Sequence, residues 1–188
     1  MFEEEKSSSK PIVVSIVVLI VLAAVGALWF WKKNNHADVE AHITQVEIMP
    51  LHLQYGHVYG NAGADQTDDA TYVLARVVVN DRNDKALAFL KDFSATLTPN
   101  EGDPQTSTAL EKDDLATVLK AFKQMQPLVD KLGGKPLLRE SEISHSGSAD
   151  GYVVFQFRGT PKMWNERQSA ILRIDLYHNG VITAPFPK

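Results

Sequence analysis

Six histidines, a few clustered acids and one Ser-His-Ser run are the residues of this 188-residue sequence with chemistry to offer. His42, His52 and His57 flank Met49, and copper accepts imidazole and thioether together. The His52-x4-His57 spacing matches no zinc motif. Positions five apart on an alternating strand face opposite sides, so a turn at Gly56 is needed to bring those two rings together. Histidines spaced this way are more often solvated in a loop than bound to metal. Asp65, Asp68 and Asp69 share the stretch "DQTDDA", which lacks the central glycine and closing glutamate of a calcium loop. It reads as a solvated acidic loop. In "SHSGS", residues 144–148, Ser and His are neighbours in sequence, but a nucleophile and its base are neighbours in space. The serine and glycine content there indicates a turn.

The rest of the search for chemistry is negative. The chain has no cysteine, no G-x-S-x-G elbow, no phosphate-binding loop and no dinucleotide fingerprint. It is expected to be non-enzymatic and to carry no cofactor. The net charge is −4; the first ten residues contribute −1 and Lys32-Lys33 contribute +2, which leaves −5 for the remainder. With no basic stripe, nucleic acid is not an expected partner.

One element dominates the N-terminal part. Pro11 to Trp31, "PIVVSIVVLIVLAAVGALWFW", is 21 residues without a charge. As a helix it is roughly 30 Å long, the thickness of a bilayer core. Lys10 precedes it, Lys32-Lys33 follow it, and Trp29, Phe30 and Trp31 stand where an aromatic belt belongs. The alternative is a cleaved signal peptide, with Val25 and Ala27 at the cleavage site. The length of the run, its continuation into "LWFW" and the acidic first ten residues favour an uncleaved anchor. Ala23, Gly26 and Ala27 fall close together on this helix, and small residues there let a second membrane helix approach. Lysines are balanced at the two ends, so charge does not set the orientation. A single-pass inner-membrane protein with its C-terminal domain extracytoplasmic is the expectation, on the general habit of anchored β-domains.

The remainder divides into residues 1–10 as a tail, 11–31 as the span, 32–38 as a linker and 39–188 as one domain. Strand patterns fall at 39–50, where Pro50 ends or bulges the run, at 71–80, 87–98, 152–158 and 170–178. A weaker extended stretch covers 135–144. Residues 60–70 and 99–105 read as loops and 180–188 as a short Pro-rich tail. Leu115, Val118, Leu119, Phe122 and Met125 recur at helical spacing, Thr108 and Glu111 fit a capping box, and Gly133-Gly134 ends the pattern. Pro127 is expected to stop or kink this helix near Gln126. The lysines of its polar face, Lys112, Lys120 and Lys123, suit a solvated surface or an anionic lipid surface. The fold expected is mostly β: an antiparallel sandwich with one amphipathic helical insert, 108–134, covering an edge or an open end.

The C-terminal strands add a resemblance. Phe155 and Phe157, a short proline-containing connection, Trp164-Asn165, then Leu172, Arg173 and Ile174 resemble a bacterial family of unknown function. Its members carry one N-terminal membrane helix and a small extracytoplasmic immunoglobulin-like module of the FxLYD and LEA type. The resemblance covers about Val39 to His178, departs at the helical insert, and implies no catalytic residues. Trp164 is expected as an apolar plug over the end of the core rather than a ligand-stacking ring. The function expected is a membrane-anchored interaction module, an accessory or assembly subunit with the lipid bilayer and a membrane protein as partners. The alternative is an extracytoplasmic metal- or ligand-binding domain using the histidines.

Overall fold

Two runs of β-branched and aromatic residues, Thr71–Val79 and Tyr152–Phe157, fix the centre of the molecule, because both are buried on both faces. A computed structural model describes residues 22, 24–26, 39–55, 66–82, 88–144, 146–177 and 180–188, without the side chains of 53–55 and 66–68. In chain order the strands are β1 (Val39–Tyr55), β2 (Gln66–Asp81), β3 (Ala88–Thr98), β4 (Gln105–Thr108), β5 (Lys135–Pro136), β6 (Glu142–Ile143), β7 (Ser148–Arg158), β8 (Ser169–Tyr177) and β9 (Gly180–Pro185). The helices are α1 (Lys112–Ala121), α2 (Gln126–Leu132) and α3 (Pro161–Asn165), with a 3₁₀ turn at Lys123–Met125 between the first two.

The protein is mostly β, with two sheets stacked as in a sandwich. One sheet has the order β1-β2-β7-β5 and the other β4-β3-β8-β9, with β6 on the same edge of β3 as β4. All pairings are antiparallel except β5 with β7. The core between the sheets takes Val73, Ala75, Val77 and Val79 from β2, Val153, Phe155 and Phe157 from β7, and Leu90, Phe93, Ala95, Leu97, Leu172, Ile174 and Leu176 from β3 and β8.

The opposite faces of β2 and β7 build a second core. Leu74, Tyr72, Tyr152 and Val154 pack there with Met49 and Leu51 of β1 against Leu115, Met125, Val129 and Leu132 of the helical segment. The helices therefore lie flat on the outer face of the first sheet, making a third layer, and do not cover an edge or an open end. An unbroken apolar run is what a strand covered on both faces needs.

Several local expectations change for physical reasons. Pro50 lies inside β1 opposite Thr71, and β1 is an edge strand, where a missing N–H is tolerated. A register shift between Leu90 and Asp92 reverses the side-chain phase of β3, so Phe89 is half-buried while Phe93 is in the core. Thr108 ends β4 and does not cap α1; the N-cap is Glu111, with no side-chain cap bond. The single helix divides at Phe122 (φ −116°, ψ 80°), well before Pro127. A proline ring clashes with the carbonyl four residues earlier, here that of Lys123, so the chain restarts and places Pro127 in the first turn of α2. The stretch 161–165 is a short helix with Pro161 in its first turn, and 180–185 is a strand.

The chain separates into two units, Met1–Ala37 and Asp38–Lys188. In the first, Leu22, Ala24, Val25 and Gly26 are helical, and Leu22 and Val25 are exposed. The rest of the expected span 11–31, including Ala23 and Ala27, lies outside the described residues, as do the tail 1–10 and the linker 32–38. Among the described residues no helix is long and apolar enough to cross a membrane.

Candidate functional site

Strand β7 ends at Arg158, opposite Ala70 of β2, and the Gly159 N–H donates to the Asp69 carbonyl at 2.6 Å. Beyond that point β1 and β2 continue to pair alone: Leu53 with Asp68, Gln54 with Thr67 and Tyr55 with Gln66. The three pairs project as a two-stranded arm of roughly 10 Å at the rise of a β-strand. Its base is held firmly. Leu51 and Met49 are buried under the helical layer, Tyr72 meets Phe122 with ring centroids 6.0 Å apart, and the Thr71 hydroxyl donates to the Gly159 carbonyl at 2.8 Å. At the root of the arm His52 Nδ1 lies 2.6 Å from Asp69 Oδ1.

The three candidate histidines do not converge. His42 is exposed near the start of β1, its Nε2 3.9 Å from Glu40. His52 lies ten positions further along the same strand, roughly 33 Å away at about 3.3 Å per residue. These two cannot share an ion. His57 lies outside the described residues, as does Asp65 and the His145 of "SHSGS". Among the described residues no three potential metal ligands cluster.

Charged pairs tie the helical layer to the sheet. Arg76 of β2 donates bidentately to Asp150 of β7 at 2.9 and 2.6 Å and also to the Leu132 carbonyl of α2 at 3.2 Å. The Arg76 partner holds the Asp150 carboxyl below its usual range. Lys131 of α2 bonds Glu47 of β1 at 2.6 Å, and this bond, with that from Gln45, lowers the Glu47 pKa. On the other edge, Arg139 reaches Asp92 at 3.2 Å and Glu111 at 3.1 Å. It bridges the mouth of a cleft of about 200 Å³ floored by Phe93, Leu110 and Leu137. That volume is below the roughly 300 Å³ at which drug-sized ligand sites begin. Both acids are already paired to the arginine.

Trp164 of α3 is 3% exposed and sits in the inter-sheet core. Its ring centroid lies 5.7 Å from Phe157 and, edge-on, 5.3 Å from Phe186. Asn165 ends the helix exposed to solvent. The polar partner of the tryptophan is instead Arg167, whose guanidinium carbon stands 4.3 Å over the indole. Arg167 is 6% exposed, donates to the Trp164 carbonyl at 2.7 Å and to the Pro187 carbonyl, and has no carboxylate partner among the described residues. Burial lowers its pKa. A charge so placed is held by carbonyl dipoles and the π face, and it fixes the C-terminal segment to the core. Nothing in the sequence around residue 167 marks it as buried; its three-residue distance from Trp164 across a helix end is the one available signal.

Set against protein-family models, characterised proteins and solved structures, the chain matches none of them.

Proposed function

We propose that this protein is a membrane-anchored, non-enzymatic interaction module, an accessory or assembly subunit that grips its partner through the β1–β2 arm. The arm carries the reading. Two-stranded ribbons alone in water are marginally stable at best, and among the described residues no other element hydrogen-bonds to the backbone of Leu53–Tyr55 or Gln66–Asp68. An element built and braced in that way has a use when another chain covers it. The uncharged span 11–31, with Leu22 and Val25 exposed on a helix, supports the anchor. The stacked antiparallel sheets and the Trp164 plug support an immunoglobulin-like module of the FxLYD and LEA kind, held on the extracytoplasmic side of the inner membrane.

The experiment is to replace residues 53–68 by an Asn-Gly turn joining His52 to Asp69, a connection that suits a hairpin. The tagged full chain and this variant are then purified in mild detergent. Loss of co-purifying membrane proteins with retained thermal stability supports the arm as the grip. Unchanged co-purification rules it out.

The metal-binding alternative retains one observation. A carboxylate on the Nδ1 of His52 is the arrangement that orients metal-binding imidazoles. Calorimetry with copper and zinc decides it, and no binding tighter than millimolar removes it.

A further inference from the structure

The guarding of β1 changes along its length. Within the sandwich the strand carries a register irregularity after Ile43 and the charged pairs of Glu40 with Arg82 and Glu47 with Lys131. These are usual devices against unwanted strand pairing, and Pro50 is the last of them before the arm.

One bond tells which backbone groups of the arm are in use. The Gly159 N–H donates to the Asp69 carbonyl, so Asp69 turns its backbone toward β7 and away from β1. Its partner His52 therefore belongs to a non-hydrogen-bonded pair, where side chains come closest, and their 2.6 Å approach agrees with that. Backbone groups alternate sides along a strand. Leu51, Leu53 and Tyr55 thus bond β2, and Pro50, His52 and Gln54 turn their groups out of the β1 edge. Among the described residues no backbone hydrogen bond takes up those of His52 or Gln54. Pro50 has no N–H to offer, so it closes the register at the base of the arm. The β2 edge of the arm offers less: Thr67 alone is turned outward there, because Gly159 already meets Asp69.

The chemistry of these groups selects what covers them. Lipid does not, since a strand edge leaves polar backbone unsatisfied in hydrocarbon and Asp68 and Asp69 are costly to bury there. A helix bonds its own N–H and carbonyl groups internally. An extended segment in water offers both donors and acceptors. The described stretches Leu51–Tyr55 and Gln66–Ala70 contain two aspartates and no lysine or arginine, in a chain of net charge −4, so opposite charge is favoured in the partner.

We infer that the arm takes an extended, lysine- or arginine-bearing segment of its partner, lying outside the membrane, as an added strand on the β1 edge at His52–Gln54. This rests on the arm as the grip and names what it grips. The backbone bonds of strand addition supply the hold, and the aspartates discriminate among segments by charge.

For the test, Gln54 of the tagged full chain is replaced by the photo-cross-linking residue p-benzoylphenylalanine. Intact membranes are irradiated, and the cross-linked peptide is identified by mass spectrometry. The expected partner peptide carries lysine or arginine and lies outside any apolar run of about 20 residues. Gln54→Pro removes an outward N–H without touching the β2 ladder, and it is expected to lower co-purification several-fold while the circular dichroism spectrum stays the same; Gln54→Ala is expected to leave co-purification unchanged. Asp68→Lys is expected to lower it several-fold by charge, and it serves alone if Gln54→Pro fails to fold. A cross-link into an apolar membrane span, a cross-linked peptide without lysine or arginine, or co-purification indifferent to Gln54→Pro or to Asp68→Lys would each overturn the inference and leave the arm as the grip. No cross-link from position 54, with one from the same residue placed at the exposed Lys123, would overturn the arm itself.

Discussion

Replacing Trp164 with alanine removes the side chain that closes the end of the inter-sheet core. An indole of about 250 Å² at about 25 cal/mol per Å² bounds the transfer term near 6 kcal/mol, and an extended-chain reference makes that an upper figure. Large-to-small changes of buried tryptophan cost about 3–5 kcal/mol, and the contacts here place Trp164 inside that range: it is 3% exposed and touches both Phe157 and Phe186. Arg167 also loses the ring it stacks on, worth about 0.5–1 kcal/mol or more when desolvated. For a domain of roughly 150 residues, at about 2–4 °C per kcal/mol, the midpoint falls by about 10–15 °C. Thermal unfolding of a fragment beginning at Asp38, followed by near-ultraviolet circular dichroism, reads this directly. A loss under about 1 kcal/mol would mean that the indole is not part of the core, and would return it to the list of binding groups.

Two further changes probe the rest of the packing. Gly151→Ala drives a methyl into the Lys135 carbonyl and within 2.9 Å of Leu137 Cγ; parting β5 from β7 is expected to cost about 1–3 kcal/mol in a urea titration, and a neutral result would mean that β5 is not seated there. The Lys131 and Gln45 hydrogen bonds hold Glu47 below the ordinary carboxylate range. Its contribution is therefore present above the unfolded value of about 4.3 and is lost as pH falls through the lower folded value. Glu47→Gln should flatten the acid limb of stability below about pH 5 and cost under about 1 kcal/mol at neutral pH, since Lys131 is largely exposed; an unchanged acid limb would show that the pair is not formed.

What could be seen in the sequence follows the length of each pattern. β2, β7 and β8 are long and rich in apolar residues, and they lie as that pattern indicates; the stripe from Leu115 to Met125 does face the sheet, but its helix breaks at Phe122. β4, β5 and β6 have two to four residues, too few for any period, and they form because the edges of β3 and β7 offer them partners. β9 reads as a tail because Pro185 and Pro187 obscure it, yet only the first falls in the strand, at its end. The three-layer arrangement was legible in principle: two strands without a polar face together with an amphipathic helix require the helix to lie on the sheet. The site was less legible. The length of the β1–β2 arm depends on where β7 stops, which only the tertiary structure sets, and Arg167 is buried by Phe186 and Pro187, some twenty residues away.

The proposal that the arm grips a partner is tested most directly by hydrogen exchange on its backbone amides, measured in the free chain and in the assembly that co-purifies with it. The account predicts that amides of Leu53–Tyr55 and Gln66–Asp68 slow markedly in the assembly, while those of β2 and β7 within the sheets exchange alike in both. Unchanged exchange along the arm, with new protection confined to another surface, would contradict it.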